Sequence, residues 1–230
     1  MDYIFIFEYE YIILLVAKIC NIIQNTVMQN YDNKQQKTLV IVKPDGVQRS
    51  LIGETIKRYE QCGLKLVALK MIIPTKELAL EHYSTDPEWA MKTGTKSQEA
   101  AAARGEKLWT ADPVEYAEGI RNTLKSFLSS GPVVLMVWQG MNAVGVVRKI
   151  TGSTEPLNSV PGTIRGDYTI DSYAAADIDK RSVRNIIHSS GSVDEAKLEI
   201  DVWFKPEEIL NYRLVAEEII YDANLDGILE

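Results

Sequence analysis

The sequence predicts an α/β or α+β sandwich, in which helices cover a β-sheet. Three apolar runs rich in β-branched residues, at positions 38–42, 64–73 and 131–140, have the length and composition of buried strands. The segments between them carry apolar residues at helical spacing. Strands that alternate with helices are typical of layered folds in which the helices pack on the faces of one sheet.

The first half of this domain can be assigned element by element. The first strand ends in the turn-forming string KPDG, and a helix is predicted over residues 50–62 with Gly63 as its C-terminal cap. The second strand stops at Pro74, and Thr75 is placed to cap a short helix. Residues 84–115 contain prolines, glycines and an alanine-rich piece, and they predict an elaborated loop or a helical lid.

The second half resumes with a helix predicted over residues 114–128, the third strand, and a helix in NAVGVVRKITG. Turn-rich strings follow, and SYAAADIDKRS at 172–182 predicts a polar loop. The last helix, in SVDEAKLEIDVWF, begins with a capping box of Ser192 and Glu195. The order of strands and helices is compatible with a split βαβ, ferredoxin-like sheet, although the pattern alone does not choose the topology.

Residues 1–37 are predicted to form an N-terminal extension and linker outside one folded domain that spans residues 38–230. The beginning of the extension is strongly apolar, but Glu8, Glu10 and Lys18 interrupt it. The uninterrupted apolar run is therefore shorter than the roughly 20 residues that a membrane span needs. Three interpretations stay open: an extension outside the fold, a helix that contacts a membrane surface or a partner, and a true span.

Composition constrains the partners and the compartment. The formal net charge of −7 argues against a protein that wraps nucleic acid by bulk electrostatics, although a cationic pocket for a small anion fits inside an acidic shell. The two cysteines, Cys20 and Cys62, have no metal-ligand spacing, and a disulfide framework normally needs more of them. A reducing, cytoplasmic compartment is therefore expected, without nucleic acid as the main partner.

The candidate anion-binding residues lie at turns and helix edges, and they are Lys43, Arg148, Thr154 and Arg165. A phosphate chain needs several fixed donors, because its charge is spread over oxygens that point in different directions. Each of these residues taken alone is also compatible with an ordinary surface position. The string GTKS at 94–97 lacks the spacing of a P-loop, so phosphate binding here would use another device.

His188, in the string RNIIHSSGS, is the candidate nucleophile. A histidine with its ordinary pKa of about 6.5 is largely neutral at pH 7 and can attack phosphorus without a separate base. Glu199 lies on the flank of the apolar stripe of the last helix, where its carboxylate can reach inward and fix one ring nitrogen. The alternative, a partly buried histidine and a surface glutamate, stays open from the local sequence. The other histidine, His82, is assigned a structural role.

Five strings resemble the nucleoside diphosphate kinases, and they occur in that family's order: KPDGVQR at 43–49, SGPVV at 130–134, PGTIRGD at 161–167, RNIIH at 184–188 and WFKPEE at 203–208. The resemblance implies a ferredoxin-like sandwich with an antiparallel four-stranded sheet covered by helices. It implies a ping-pong enzyme that transfers the terminal phosphoryl group of a nucleoside triphosphate, typically ATP, to a nucleoside diphosphate through a phosphohistidine at His188. It also implies Mg²⁺ held through the nucleotide phosphates, with no metal ligands from the protein, and a homo-oligomer, either a hexamer or a tetramer.

The same resemblance implies roles for the matched residues. Those implied to bind the nucleotide are Lys43, Tyr83, Arg148, Thr154, Arg165 and Asn185. Ser190 and Glu199 are implied to position the catalytic histidine. An alternative function is a nucleotide-binding regulatory or interaction module on the same fold, and another is a phosphohistidine phosphatase or mutase. The completeness of the matched set favours the kinase, because a degenerate module is expected to have lost several of these residues.

Three features depart from the family pattern. Residues 84–115 are longer than the short family lid that supplies an aromatic ring to stack on the base, and Trp89 and Trp109 are the candidates for that ring. Residues 172–182 lengthen a region through which family members often make subunit contacts. Gly191 stands where many members have an acidic residue. These departures affect the base contacts and the assembly more than the chemistry.

Overall fold

The computed structural model describes residues 34–84, 88–103 and 108–221, together with the single positions 18 and 105. The expectations for the N-terminal extension therefore fall almost entirely outside the described residues. Within the part of the chain that is described, no helix has both the length and the apolar character needed to cross a membrane.

A four-stranded antiparallel sheet forms the centre of the fold. Its strands are β1 (Gln36–Val42), β2 (Lys65–Ile72), β3 (Val133–Gly140) and β4 (Ile187–Ser189). Their order across the sheet is β2-β3-β1-β4, and each neighbouring pair is antiparallel. This is a split βαβ, ferredoxin-like arrangement, so the predicted fold class is confirmed. β1 begins at Gln36, slightly before the predicted start at Thr38.

The described helices are α1 (Pro44–Gln48), α2 (Ile52–Glu60), α3 (Lys76–His82), α4 (Trp89–Ala103), α5 (Pro113–Leu128), α6 (Ala143–Thr151), α7 (Ile164–Tyr168), α8 (Tyr173–Ile178), α9 (Val193–Trp203) and α10 (Glu217–Tyr221). Two 3₁₀ helices, Pro156–Asn158 and Pro206–Glu208, complete them. α8 corrects the prediction of a polar loop at 172–182. Its alanines favour a helix, and the Ser172 hydroxyl caps it by accepting from the Ala175 amide at 3.1 Å.

The sheet is covered on both faces, as the alternation along β1 requires. Leu39 and Ile41 point to one face and pack with Trp203 of α9. Val40 and Val42 point to the other face, in a second buried cluster that includes residues of α2 and α6. Burial on both faces explains why β1 and β3 read as continuous apolar runs rather than as alternating ones.

Residues 84–115, for which an elaborated loop or a helical lid is predicted, contain helix α4, and α4 packs against α5. Gly94 of α4 lies so close to the carbonyl of Pro113 that a Cβ at this position would collide with it. The Arg121 guanidinium of α5 lies 4.8 Å from the ring centroid of Trp89 on α4. These contacts hold the two helices together as one wall beside the main domain.

Candidate active site

A cavity of about 570 Å³ brings the predicted site residues together. The predicted residues that line it are Lys43, Tyr83, Arg148, Thr154, Arg165, Asn185, His188 and Glu199. Ser190, the remaining predicted residue, is fully buried behind the cavity wall. The fold thus brings residues as distant in the sequence as Lys43 and Glu199 to the same cavity.

His188 faces this cavity from strand β4, where its backbone pairs with Ile41 of β1. Its side chain is 21% exposed, so the ring is accessible but held. Nε2 lies 3.0 Å from Oε1 of Glu199, although the N–H direction is out of line for a hydrogen bond between them. Because Nε2 faces the carboxylate, Nδ1 is the ring nitrogen that remains for chemistry.

The Glu199 carboxylate is buried and fixed on its other side. Its Oε2 accepts a hydrogen bond from the Ser190 hydroxyl at 2.6 Å, and that hydroxyl accepts one from the Leu39 amide at 3.2 Å. Burial by itself raises the pKa of Glu199, but the charge and contact of His188 and the Ser190 hydroxyl outweigh it and lower this pKa to about 2. The carboxylate is therefore ionised at neutral pH.

Helix α9 places Glu199 because its inner face is apolar. Ala196, Ile200 and Trp203 are buried, and Glu199 lies on the edge of this stripe with 5% exposure. The inward reach predicted from the helical spacing is confirmed. The helix begins at Ser192, whose hydroxyl accepts from an amide of the first turn.

Gly191 contacts the first turn of α9. Its amide donates to Oε2 of Glu195 at 2.6 Å. A Cβ at position 191 would meet the same carboxylate, which is the flexible end of the Glu195 side chain and can move aside. Only half of the predicted capping box is therefore present, since Ser192 accepts from the Glu195 amide but the Glu195 carboxylate bonds one residue further out, at Gly191.

His82 belongs to this site, which the sequence reasoning missed when it assigned the residue a structural role alone. Its ring meets that of His188 edge-on, with centroids 4.6 Å apart and an interplanar angle of 86°. Its Nδ1 accepts from Nε1 of Trp203 at 3.2 Å and lies 3.9 Å from Oε1 of Glu199. Burial lowers the pKa of His82, and the nearby His188 lowers it further. The Glu199 carboxylate acts in the opposite direction but does not compensate, so the pKa is about 3. The residue is therefore a neutral neighbour of the candidate nucleophile.

We expect the low pKa of His82 to make the folded protein sensitive to acid. Below the ordinary histidine pKa of about 6.5 the unfolded chain binds a proton here, whereas the folded chain does so only near pH 3. The contribution of neutral His82 to the free energy of unfolding is fully present above pH 6.5. It decreases as the pH falls below this value, by up to about 1.4 kcal/mol per pH unit. Urea unfolding of the wild type and of His82→Asn at pH 7, 6 and 5 measures it.

Asparagine is the matched replacement, since it keeps an acceptor for Trp203 but does not titrate. We expect the stability of the wild type to fall more steeply on acidification than that of His82→Asn. Equal slopes for the two proteins would show that the fold does not hold His82 neutral.

Among the described residues, His82, His188 and Glu199 form a group that could hold a metal ion, with ligand atoms within 4.8 Å of one another. Nδ1 of His82 and Oε2 of Glu199 already accept hydrogen bonds, from Trp203 and Ser190. Two imidazoles and one carboxylate also suit Mg²⁺ poorly, because this ion prefers oxygen ligands. The group is better described as a histidine with its supports than as a magnesium site.

Lys43 and Asn185 form a second polar unit beside His188. Lys43 is a buried residue with 5% exposure, and its ammonium donates to Oδ1 of Asn185 at 2.8 Å. Nδ2 of Asn185 donates to the Thr154 carbonyl at 2.9 Å. Burial, together with the nearby charge of Arg165, lowers the pKa of Lys43 to about 8, so the side chain remains mostly charged at pH 7. The unit presents a cation held in place by an amide.

Arg165 is buried, and most of its donors are already used. They bond the backbone carbonyls of Asn185 at 3.2 Å, Gly152 at 3.0 Å, Ser153 at 2.9 Å and Ile187 at 2.6 Å. A guanidinium has five N–H groups, so a single one remains for a ligand. Arg165 therefore ties the 152–153 loop to β4, whereas Arg148 and Thr154 are exposed at the cavity and free to meet an anion.

Aromatic rings reach the cavity from several elements. Trp89 lines it, whereas Trp109 is 65% exposed and packs beside Tyr116 at 6.0 Å between ring centroids. Tyr83 also lines it, and burial raises the pKa of its hydroxyl. The lining residues that the sequence analysis missed come mainly from α4, α5 and α8, and include Thr93, Lys96, Ser97, Tyr116, Ile120, Leu124, Tyr173 and Asp177. Helical spacing predicted α5, but not which of its faces meets the cavity.

Comparison with known proteins agrees with this geometry. The protein family described as nucleoside diphosphate kinase matches residues 36–92 and 115–209, which is more than half of the chain. The chain belongs to the nucleoside diphosphate kinase family. The stretch of residues 93–114 that the family match omits falls inside residues 84–115, which are predicted from the sequence to be longer than the family lid. The predicted enzyme class, a phosphotransferase acting between nucleoside triphosphates and diphosphates, is confirmed by this membership.

Nucleoside diphosphate kinases of two organisms match over almost their whole length. That of Pyrobaculum aerophilum is 45% identical over 179 residues, which cover 76% of this chain and 98% of the relative. A crystal structure of an NDP kinase from the same organism has a TM-score of 0.74 and 43% identity, covering 77% of this chain and all of that one. The Borrelia burgdorferi kinase, solved as a transition-state mimic with bound vanadate and ADP, has a TM-score of 0.65 and 39% identity, covering 80% and 95%.

Proposed function

We propose that this nucleoside diphosphate kinase transfers the phosphoryl group through a phosphohistidine at His188. The observation that carries the proposal is the position of Nε2 of His188, 3.0 Å from the ionised Glu199 carboxylate, in a cavity lined by cations. A carboxylate at Nε2 favours the tautomer that keeps its proton on that nitrogen. Nδ1 then carries the lone pair and is the nucleophile.

The reaction takes place in two matched halves. Nδ1 of His188 attacks the terminal phosphorus of a nucleoside triphosphate in line with the bond to the leaving oxygen. The N–P bond forms as the P–O bond breaks, and the nucleoside diphosphate leaves with the electron pair of that bond. Glu199 stabilises the positive charge that develops on the ring. In the second half a different nucleoside diphosphate attacks the phosphohistidine through its terminal oxygen, and His188 returns to its neutral form.

The phosphate oxygens are stabilised by the cations that line the cavity. Lys43 is held by Asn185 at 2.8 Å and contacts the phosphates as a fixed charge, while Asn185 contacts the sugar. Arg148 and Thr154, which are exposed at the cavity, close around the phosphate chain. Arg165 contributes through its remaining N–H and through its hold on the backbone of β4. Most of the catalysis of phosphoryl transfer is this positioning and neutralisation of charge.

Ser190 is assigned as a positioning residue, because its hydroxyl holds the Glu199 carboxylate that faces His188. Tyr83 and Trp89 line the nucleotide side of the cavity, and Trp89 is the better placed of the two tryptophans to stack on a base. Stacking on an aromatic ring does not discriminate between bases. ADP in the Borrelia burgdorferi structure and CDP in that of a Halobacterium salinarum nucleoside diphosphate kinase support the acceptance of both base classes here.

Mg²⁺ is assigned as the cofactor, bound to the nucleotide phosphates rather than to the chain. When bound it neutralises charge on the phosphate oxygens. The group at His188 that could hold a metal supports this assignment. Among the described residues it consists of two histidines and one carboxylate, whereas Mg²⁺ prefers oxygen ligands.

Assembly, domain limits and compartment belong to the same proposal. A homo-oligomer is supported by the edge strand β2, which exposes Leu69 and Met71. The domain of residues 38–230, with residues 1–37 as an extension, is supported by the start of the family match at residue 36. A cytoplasmic location is supported by Cys62, a free cysteine on the surface.

A phosphoenzyme experiment tests the proposed function. The full chain is incubated with Mg²⁺ and ATP labelled in the terminal phosphate, freed of nucleotide and digested. We expect the label on the peptide that contains His188, and its complete transfer to added GDP or CDP without release of inorganic phosphate. Label on another residue, or net hydrolysis as in a phosphatase, would contradict the assignment.

A further inference from the structure

The backbone just before His188 forms a strained turn. Ile186 has a φ of +55°, in the left-handed region that β-branched residues rarely adopt. The amide of Ile187 donates to the carbonyl of Asn185 at 2.6 Å and closes a three-residue turn with Ile186 at its centre. A positive φ at the centre is the rare, strained form of such a turn. Strain of this kind persists only where the surrounding structure holds it in place.

This turn connects two parts of the site. Asn185 stands before it and bonds Lys43 and the Thr154 carbonyl. His188 stands after it, on β4. Because the turn fixes the direction in which the chain enters β4, the conformation of Ile186 sets the position of the nucleophile relative to the phosphate-binding side chains.

The string KPDG satisfies both backbone polar groups of Ile186. The Asp45 carboxylate accepts a hydrogen bond from the Ile186 amide at 3.1 Å. The Lys43 amide donates to the Ile186 carbonyl at 2.9 Å. Gly46 makes this approach possible, since a Cβ there would lie 2.7 Å from the Ile186 carbonyl oxygen.

Other contacts fix the neighbours of the turn. Arg165 donates to the carbonyls of Asn185 and Ile187, and the Ile186 side chain is buried in the cluster that contains Val42. The contact from Asp45 differs from these in one useful respect. It is made by a side chain that has no proposed contact with the nucleotide, so it can be removed separately.

We propose that Asp45, brought close by Gly46, is a positioning residue that holds Ile186 in its strained conformation. The held turn then aligns Asn185 with His188 for phosphoryl transfer. This inference rests on the proposed function in taking His188 as the nucleophile, but the geometry of the turn can be tested without any chemistry.

Two substitutions of Asp45 separate its hydrogen bond from its charge. Asp45→Ala removes the acceptor, and we expect single-turnover transfer from ATP to the enzyme to slow by about 100-fold, as a small misplacement of reacting groups does. Asp45→Asn removes the charge but keeps an acceptor oxygen, so we expect a rate within about threefold of the wild type. If the charge of Asp45 acted directly on the reaction, both variants would be equally slow, and the proposal would be wrong.

Ile186→Gly in the Asp45→Ala background is the rescue experiment. Glycine adopts a positive φ readily, so we expect the double variant to recover at least about tenfold of the lost rate. The double variant also lacks the buried Ile186 side chain, so its resistance to urea should fall below that of Asp45→Ala. If Asp45 had only a structural role, the double variant would be both less stable and slower than Asp45→Ala.

Crystal structures of the variants decide the geometry independently of activity. We expect a negative φ at residue 186 in Asp45→Ala, with a changed distance between His188 and Glu199, and an unaltered turn in Asp45→Asn. If Asp45→Ala does not fold, Gly46→Ala presses on the same carbonyl and is expected to give the same change. A positive φ kept at residue 186 in Asp45→Ala, or in Gly46→Ala where that variant takes its place, would overturn the inference, even with His188 confirmed as the nucleophile. A wild-type phosphoenzyme on another residue would overturn the proposed function, while the turn geometry would still decide the role of Asp45.

Discussion

Replacing His188 with alanine is expected to abolish exchange between nucleoside triphosphates and diphosphates, lowering kcat by at least about 10⁴-fold. Nδ1 of His188 forms the covalent bond to phosphorus in the mechanism proposed for this site. Of the other nearby side chains, His82 is fully buried and Glu199 is already bonded by Ser190. A coupled spectrophotometric assay with ATP and a second nucleoside diphosphate measures the loss.

The same variant must keep its fold and its nucleotide site for this result to be informative. The backbone of residue 188 pairs with β1 irrespective of its side chain, so β4 is expected to stay in place. The cations at Lys43 and Arg148 are unchanged, and we therefore expect ADP to bind to His188→Ala within about tenfold of its wild-type affinity. Substantial exchange by a folded, ADP-binding His188→Ala would show that another residue carries the phosphoryl group.

Glu199→Gln is expected to have the second largest effect, a loss of about 100-fold in kcat with little change in KM. The amide has the shape of the carboxylate but no charge to stabilise the ring of His188 as it becomes positive. Its NH₂ group must also face either the Ser190 hydroxyl or Nε2 of His188, and both positions have a donor in the wild type. Glu199 does not contact the nucleotide in the proposed mechanism, so binding is affected less than chemistry.

Asp201→Asn is the matched control for this experiment, because Asp201 is an exposed carboxylate on the same helix. We expect it to leave kcat unchanged. The low pKa of Glu199, about 2, also predicts that this carboxylate adds no acid limb to the pH profile of kcat between pH 5 and pH 7. Wild-type kcat in Glu199→Gln would remove Glu199 from the mechanism.

The sequence predicts the residues proposed for the chemistry better than it predicts the other residues that line the cavity. Lys43 stands out because it follows a predicted strand, and Glu199 because it lies on the flank of a predicted helix. His188 stands out by its residue type and by the string that contains it. His82 does not, since only the fold brings α3 against β4 and places its ring against His188. The three-residue strand β4 is itself too short to show an alternating pattern.

The inserted segment shows the same limit in another way. The sequence leaves an elaborated loop and a helical lid as alternatives for residues 84–115. The packing of α4 on α5 includes a close approach of Gly94 to Pro113, which no local pattern reveals. Arg165 is a related case, because its charge suggests a phosphate ligand while its burial commits most of its donors to backbone carbonyls.

The central claim is that Nδ1 of His188 is the atom that carries the phosphoryl group, because Glu199 occupies the side of Nε2. Phosphorus and nitrogen NMR of the phosphoenzyme, made with ¹⁵N-histidine, identifies the phosphorylated ring nitrogen directly. We expect a single phosphohistidine with phosphorus on Nδ1 and the proton on Nε2. Phosphorus on Nε2 would contradict it.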